Sequence, residues 1–337
     1  MPKVTAPPLP ASGLFGLIKP SGPTCMSLLN RMQPLLSKSK LFVDPEKVEQ
    51  AKNAPKSRKR RKRGGDVKLG QGGTLDPLAD GVIVVGVGKA TKQLTRFLDC
   101  TKEYRTTCLL GCETDSYDSE GAKVRIAPWK HVTKELVEEA LSQFTGQIKQ
   151  TPPIFSALKM DGKALYEYAR KGIPLPRPIE ARDVTVHSLE LVEWLGSSHS
   201  YSWPDKSLSE DEKKAVEKAL QGVNEGVSLK DKPETSTETN SSDVIPSAFV
   251  LRMRVSGGTY VRSIVHDLAN TLGSAGHVVT LQRSRQGQFV LEPEGDDDRS
   301  CIPWEVFEKA LSDSGEVDED GWTEWERQVL QHIEVVQ

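Results

Sequence analysis

The stretch QGGTLDPLADGVIVV, residues 71–85, sets one carboxylate, Asp76, between two glycines and a proline just ahead of an apolar run. Pro77 biases Asp76 toward extended backbone, and Gly72 and Gly73 let the chain approach another group without side-chain bulk. A carboxylate displayed from such a loop is a candidate nucleophile or general base, and loops on rigid scaffolds are where such groups concentrate. Asp and Gly are also ordinary turn residues, so a capping role for Asp76 is the alternative.

Other chemistries fit less well. A phosphate-cradling loop needs G-x-x-x-x-G-K-[ST], but Gly88-Lys89 is followed by Ala90 and Ile83 stands where the first glycine belongs. The dinucleotide fingerprint fails as well, because Thr91 replaces the third glycine after Gly86 and Gly88. Neither ATP nor NAD is indicated. The five cysteines (Cys25, Cys100, Cys108, Cys112, Cys301) are scattered and the six histidines form no ligand-spaced pair, so neither a disulfide framework nor a metal site is expected.

Positioning such a loop requires strands and helices. GVIVVGVG at 81–88 is short, β-branched and bounded by glycines, which predicts a strand buried on both faces. KEYRTTCLLG at 102–111 and AFVLRMRV at 248–255 alternate as half-buried strands do. GLFGLIKPSGPTCMSLLN at 13–30 reads as strand, turn and helix start. Helical spacing follows Thr133 as far as Phe144, from Ala164 to a stop at Gly172, and after Ser256-Gly-Gly-Thr-Tyr260 along Ile264, Val265, Leu268 and Leu272. Mixed strands and helices without regular βαβ units predict an α+β domain with a central mixed, mainly antiparallel sheet flanked by helices.

The net charge of -2 hides segregation. KSRKRRKR at 56–63 is a dense basic cluster, and the chain turns acidic from 292 (EPEGDDD, GEVDEDG). Residues 1–12 read as a disordered start, about 37–66 and 196–247 as disordered insertions, and 292–337 as a short acidic extension. No apolar run approaches a membrane span, and the first residues lack the features of a secretory or transit peptide, so an intracellular protein is expected.

Taken together, the ordered segments resemble the TruB-type pseudouridine synthases. The segments that carry the resemblance are Gly16-Leu-Ile-Lys19-Pro20-Ser-Gly, Gly72-Gly-Thr-Leu-Asp76-Pro-Leu-Ala-x-Gly-Val, and Lys102-Glu-Tyr104-Arg105. They continue with Gly111-x-x-Thr114-Asp115-Ser-x-Asp118-x-x-Gly121, Thr151-Pro-Pro-x-Phe-Ser-Ala-Leu-Lys159 with Leu165-Tyr-Glu-Tyr-Ala-Arg170, and Ser256-Gly-Gly-Thr-Tyr-Val-Arg262-Ser-Ile-x-x-Asp267-Leu. They occur in the family's order across residues 13–291 and are most similar to its eukaryotic, stand-alone branch.

The resemblance implies isomerisation of the T-loop uridine at tRNA position 55, with T-loop-like sites in mRNA left open as further substrates. It implies Asp76 as catalytic aspartate, Tyr104 as the aromatic against the flipped base, and Arg262 as partner of the aspartate. It implies RNA contacts from Lys19, Gln71, Gly72, Gly73, Thr74, Arg105, Lys159 and Tyr260. Breaking N1–C1′ and joining C5–C1′ takes nothing from outside, so no cofactor is expected, and tRNA is the expected partner of a monomer needing no guide RNA or second protein. Gln71 stands where the family often has histidine, and no complete C-terminal PUA domain is expected. The basic cluster points to the nucleus, with the mitochondrion left open. Rival readings are an RNA-folding factor without turnover and a guide-dependent synthase.

Overall fold

The apolar run after Asp76 forms the strand Asp80–Val87 in the computed structural model, which describes residues 7–44, 46, 67–171, 173–209, 245–313 and 315–336. The chain divides into two compact units, Met1–Lys102 with Arg283–Gln337, and Glu103–Gln282. The division falls within the strands Lys102–Leu110 and Gly276–Gln286.

In the first unit the strand Gly13–Lys19 lies between Asp80–Val87, antiparallel with Gly13 opposite Val87, and Arg299–Pro303, parallel with Gly16 opposite Cys301. Leu69–Gln71 extends the sheet beyond Asp80–Val87, and Phe289–Val290 extends it beyond Arg299–Pro303. Alternate residues bury opposite faces, as a doubly covered strand requires. Leu14, Val82 and Val84 pack with Leu94, Phe97 and Phe289, while Phe15 stacks on Phe307 at 6.1 Å. The helix Cys25–Leu36 starts at Thr24, whose Oγ1 accepts from Ser27 N at 3.1 Å.

Several segments expected to be exposed belong to this core. Ala11 N donates to Leu41 O at 2.7 Å, and Leu41 and Phe42 are buried. The disordered start and first insertion, read as 1–12 and 37–66, thus place Ala11, Ser39, Leu41 and Phe42 in the interior; the basic cluster lies outside the described residues. Beyond residue 292 the chain forms Arg299–Pro303, Trp304–Ser312 and Glu324–His332. There Trp304, Phe307 and Trp325 cluster with centroids 6.1–6.2 Å apart. Acidic residues dominate the composition of that stretch and, apart from the buried Glu326, which accepts from Ser39, leave its apolar stripe to aromatic and aliphatic residues, so the average conceals the part that folds.

The sheet of the second unit runs in the order Gly276–Gln286, Lys102–Leu110, Ala248–Val255, Arg182–Gly196 and Gly146–Gln150. Arg182–Gly196 pairs antiparallel with both of its neighbours, with Leu191 opposite Leu251. Thr133 caps Lys134–Ala140, which tightens into a 3₁₀ turn at Leu141–Phe144. Leu165–Arg170 is helical; Gly172, its expected stop, lies outside the described residues. Helix Val261–Thr271 buries Ile264, Val265, Leu268 and Ala269. The second insertion, read as 196–247, is anchored at its described ends: Trp203 Nε1 donates to Leu110 O at 2.9 Å and Leu208 N to Lys123 O at 3.2 Å. Residues 210–244 lie outside the description.

Candidate active site

Asp76 sits half-buried in a loop of the first unit whose backbone is held at nearly every residue. Gly72 N donates to Val84 O at 2.9 Å, and Gly72 O accepts from Gln286 Nε2 at 2.5 Å. Gly73 O accepts from Arg283 Nη2 at 3.2 Å, and Arg283, itself buried, also donates from Nε to Val82 O at 2.7 Å. Leu75 exchanges two contacts with Cys25 Sγ, both 3.3 Å. Asp76 O closes a turn by accepting from Ala79 N at 3.2 Å.

Lys19 completes the clamp. Its Nζ donates to Pro20 O at 2.9 Å, Pro77 O at 3.0 Å and Ala79 O at 2.5 Å, and the residue is 0% exposed. Gly22 N reaches Pro77 O at 2.8 Å and Ser21 Oγ reaches Leu78 O at 2.6 Å. An ammonium buried among carbonyls offers no surface to RNA, so the expected RNA contact of Lys19 is corrected to a support for the aspartate loop. The loop glycines also serve the protein itself. A Cβ on Gly72 would stand 2.7 Å from Phe97 Cβ, and Gly73 has a φ of 129°, which side chains resist.

Two further side chains shape the loop. Gln71 Nε2 donates to the exposed Thr74 at Oγ1, 3.0 Å away, whereas the buried Gln71 Oε1 meets no hydrogen-bond partner among the described residues. Burial raises the pKa of Cys25 and outweighs the nearby Arg283 and Lys19 charges, so its contact with Leu75 is that of a thiol.

The other expected site residues belong to the second unit. Tyr104 is buried on Lys102–Leu110, and its exposed neighbour Arg105 pairs with Glu193 at 3.5 Å. Lys159 is exposed on the short hairpin Lys159–Met160 with Lys163–Ala164. Tyr260 exchanges hydrogen bonds with Gln150, 2.7 and 3.0 Å, and its ring lies 5.0 Å from the Arg182 guanidinium. Arg262 follows in the first turn of Val261–Thr271, buried, donating from Nη1 to Ser116 O at 2.5 Å and from Nη2 to Phe155 O at 2.9 Å. Its Nε lies 3.7 Å from Asp118 Oδ2, and Asp118 is fixed by Ser116 Oγ at 2.6 Å.

The structure thus gathers Lys19, Gln71–Thr74 and Asp76 in one loop system, and Tyr260 with Arg262 at one helix start, while Arg105 and Lys159 stand on separate elements. Arg283, Gln286 and Asp118 were not singled out for roles. Buried Arg and Gln in a strand share the type and spacing of exposed ones, so periodicity carries no signal for them. Among the described residues no group of three or more His, Cys, Asp and Glu could hold a metal ion, and no helix is long and apolar enough to cross a membrane.

A family profile described as TruB family pseudouridylate synthase, N terminal domain, matches residues 60–203. A Schizosaccharomyces pombe protein named tRNA pseudouridine synthase 4 is 38% identical, the match covering 88% of this chain and 82% of that protein. A Saccharomyces cerevisiae protein of the same name is 32% identical, over 95% and 85% respectively. Among solved structures, a chain of a Cbf5-Nop10-Gar1 complex aligns with a TM-score of 0.51 at 20% identity, covering 99% of this chain and 65% of that one, which speaks to fold alone.

Proposed function

The chain belongs to the TruB family of pseudouridine synthases, as its similarity to two yeast proteins over at least 82% of their length shows, and from that premise we propose that it isomerises the T-loop uridine at tRNA position 55. The observation that carries the reading is the clamped loop of Asp76, in which Lys19, Cys25, Arg283 and Gln286 spend their hydrogen bonds on backbone and hold a half-buried carboxylate still. Preorganisation of that kind is what a group needs to meet a reacting sugar or base at fixed range.

In this reading the target uridine leaves its stack and Tyr104 faces its ring. The N1–C1′ bond breaks, the uracil turns, and C5 joins C1′. The C5 proton leaves and N1 gains one, so substrate and product are isomers. Asp76 either attacks the nucleoside or draws a ribose proton, and Arg262 is the residue assigned as its partner in this reading. No guide RNA or second protein is assigned a role.

The test uses purified protein and an unmodified T-arm hairpin transcript. Pseudouridine at the T-loop uridine, with no other macromolecule added, is the expected result. Tight binding without product would overturn the proposal in favour of an RNA-folding factor, and product only with added guide RNA would favour a guided enzyme. T-loop-like stems from mRNA, assayed beside it, define the range of substrates.

Gln71 takes a supporting part. Its amide is tied to Thr74, and its buried carbonyl oxygen, which meets no partner among the described residues, takes a donor from the opened RNA once the side chain turns outward. Gln71→Ala is expected to slow single-turnover isomerisation about tenfold, the worth of one net hydrogen bond, and Gln71→His to stay near wild type. A rate for folded, RNA-bound Gln71→Ala as low as that of Asp76→Asn would place Gln71 in the chemistry instead.

A further inference from the structure

Helix Val261–Thr271 carries polar residues at four-residue intervals, Arg262, His266 and Asn270, on one stripe. The stripe faces the hairpin Cys112–Thr114 with Lys123–Ile126 and the turn between its strands. His266 Nε2 lies 3.1 Å from Glu113 Oε1 and Nδ1 lies 2.8 Å from Asp267 Oδ1. Glu113 Oε2 accepts from Arg125 Nε at 2.9 Å, and Arg125 Nη2 donates to Asn270 Oδ1 at 2.5 Å. The Asn270 amide lies 3.1 Å from the imidazole.

The imidazole also stacks on Tyr117, with ring centroids 3.9 Å apart and planes 17° from parallel. Tyr117 has a φ of 63°, a left-handed backbone that a bulky side chain adopts only under constraint. The residues on either side of it are those that grip Arg262: Ser116 through its carbonyl and Asp118 through its carboxylate. The strained residue aims two neighbours at one guanidinium, and His266 is the ring that packs on it.

We propose that His266 is a positioning residue for Arg262, acting through the Glu113 ion pair and the Tyr117 stack, so that the rate of isomerisation follows the proton on this one imidazole. The proposal rests on the catalytic reading of Arg262. Burial alone would lower the His266 pKa, but Glu113 and Asp267 outweigh it and raise it to about 9. Burial likewise would raise Glu113, and His266 with Arg125 holds it below the usual carboxylate range. The Tyr117 hydroxyl is pushed up by burial and by those carboxylates, so it stays neutral over the same interval. A raised histidine pKa means that its contribution is complete below the ordinary value of about 6.5 and is lost as pH rises through about 9.

The test compares single-turnover rates of wild type and His266→Gln on a T-arm hairpin across that interval. At about pH 7 the variant is expected to be about tenfold slower with RNA affinity within about threefold, and the rate ratio to approach one above about pH 9.5. Titration of the uracil itself affects both proteins alike and cancels in the ratio. A merely structural role predicts a ratio independent of pH, and that result, or equal rates at neutral pH, overturns the proposal. Should His266→Gln not fold by circular dichroism, Glu113→Gln carries the same comparison. If Arg262→Ala keeps the wild-type rate, the catalytic reading falls, and NMR titration of His266 with the Arg262 Nε–H resonance as reporter still decides the coupling. If Arg262→Ala is dead and the ratio is flat, the coupling alone falls.

Discussion

Asp76→Asn is expected to retain RNA affinity within a few fold and to isomerise uridine at less than about one ten-thousandth of the wild-type rate, the scale of losing an essential nucleophile or base. Asparagine keeps the shape and removes the charge. The supports at Gly72, Gly73, Leu75, Pro77, Leu78 and Ala79 all act on backbone or through other side chains, so the loop itself should persist. Single-turnover assays at saturating T-arm RNA, with binding measured separately, check both halves. Turnover near the wild-type rate would remove Asp76 from the chemistry; a variant that no longer melts cooperatively would mean that the carboxylate is needed for the loop.

The second large effect is expected at Arg262, and it has two parts. Arg262→Ala leaves Asp118 buried without its guanidinium and two carbonyls, at Ser116 and Phe155, without their donor. Removing one partner of a buried pair costs about 3–5 kcal/mol, so the midpoint of urea unfolding should fall sharply. At a temperature where the variant is folded, its rate should be down about a thousandfold or more, on the scale of losing a preorganised charge in the site. Arg262→Lys separates the parts. It restores the charge but not the planar fork, so it should recover stability more than activity. A folded Arg262→Ala enzyme with the wild-type rate would confine Arg262 to a structural role.

Much of the frame was legible because it rests on periodicity. GVIVVGVG, KEYRTTCLL and AFVLRMRV are strands within a residue or so of where alternation and bounding glycines place them, and the helix of Arg262 begins where its apolar stripe begins. Segments judged by composition fared otherwise. In the first insertion Leu41 and Phe42 sit among polar residues, and both are buried. In the acidic stretch Trp304, Phe307 and Trp325 supply the core contact while Asp and Glu set the average. Lysine is seldom buried, which is why Lys19 reads as a hand extended to RNA when it is turned inward on three carbonyls. The His266 network joins residues as far as 153 positions apart, and only tertiary structure can bring them together.

The clamp on Gly72 and Gly73 has a consequence for synthesis. Its two side chains, Arg283 and Gln286, follow those glycines by 210 and 214 residues, and the strand Gly13–Lys19 pairs with Arg299–Pro303 and Glu334–Val335. A chain leaving the ribosome therefore carries the aspartate loop long before it carries the groups that fix it. Closing so long a loop is slow. Glu103–Gln282 is continuous in sequence, whereas the loop that bears Asp76 acquires its final shape only after Arg283 and Gln286 have been made.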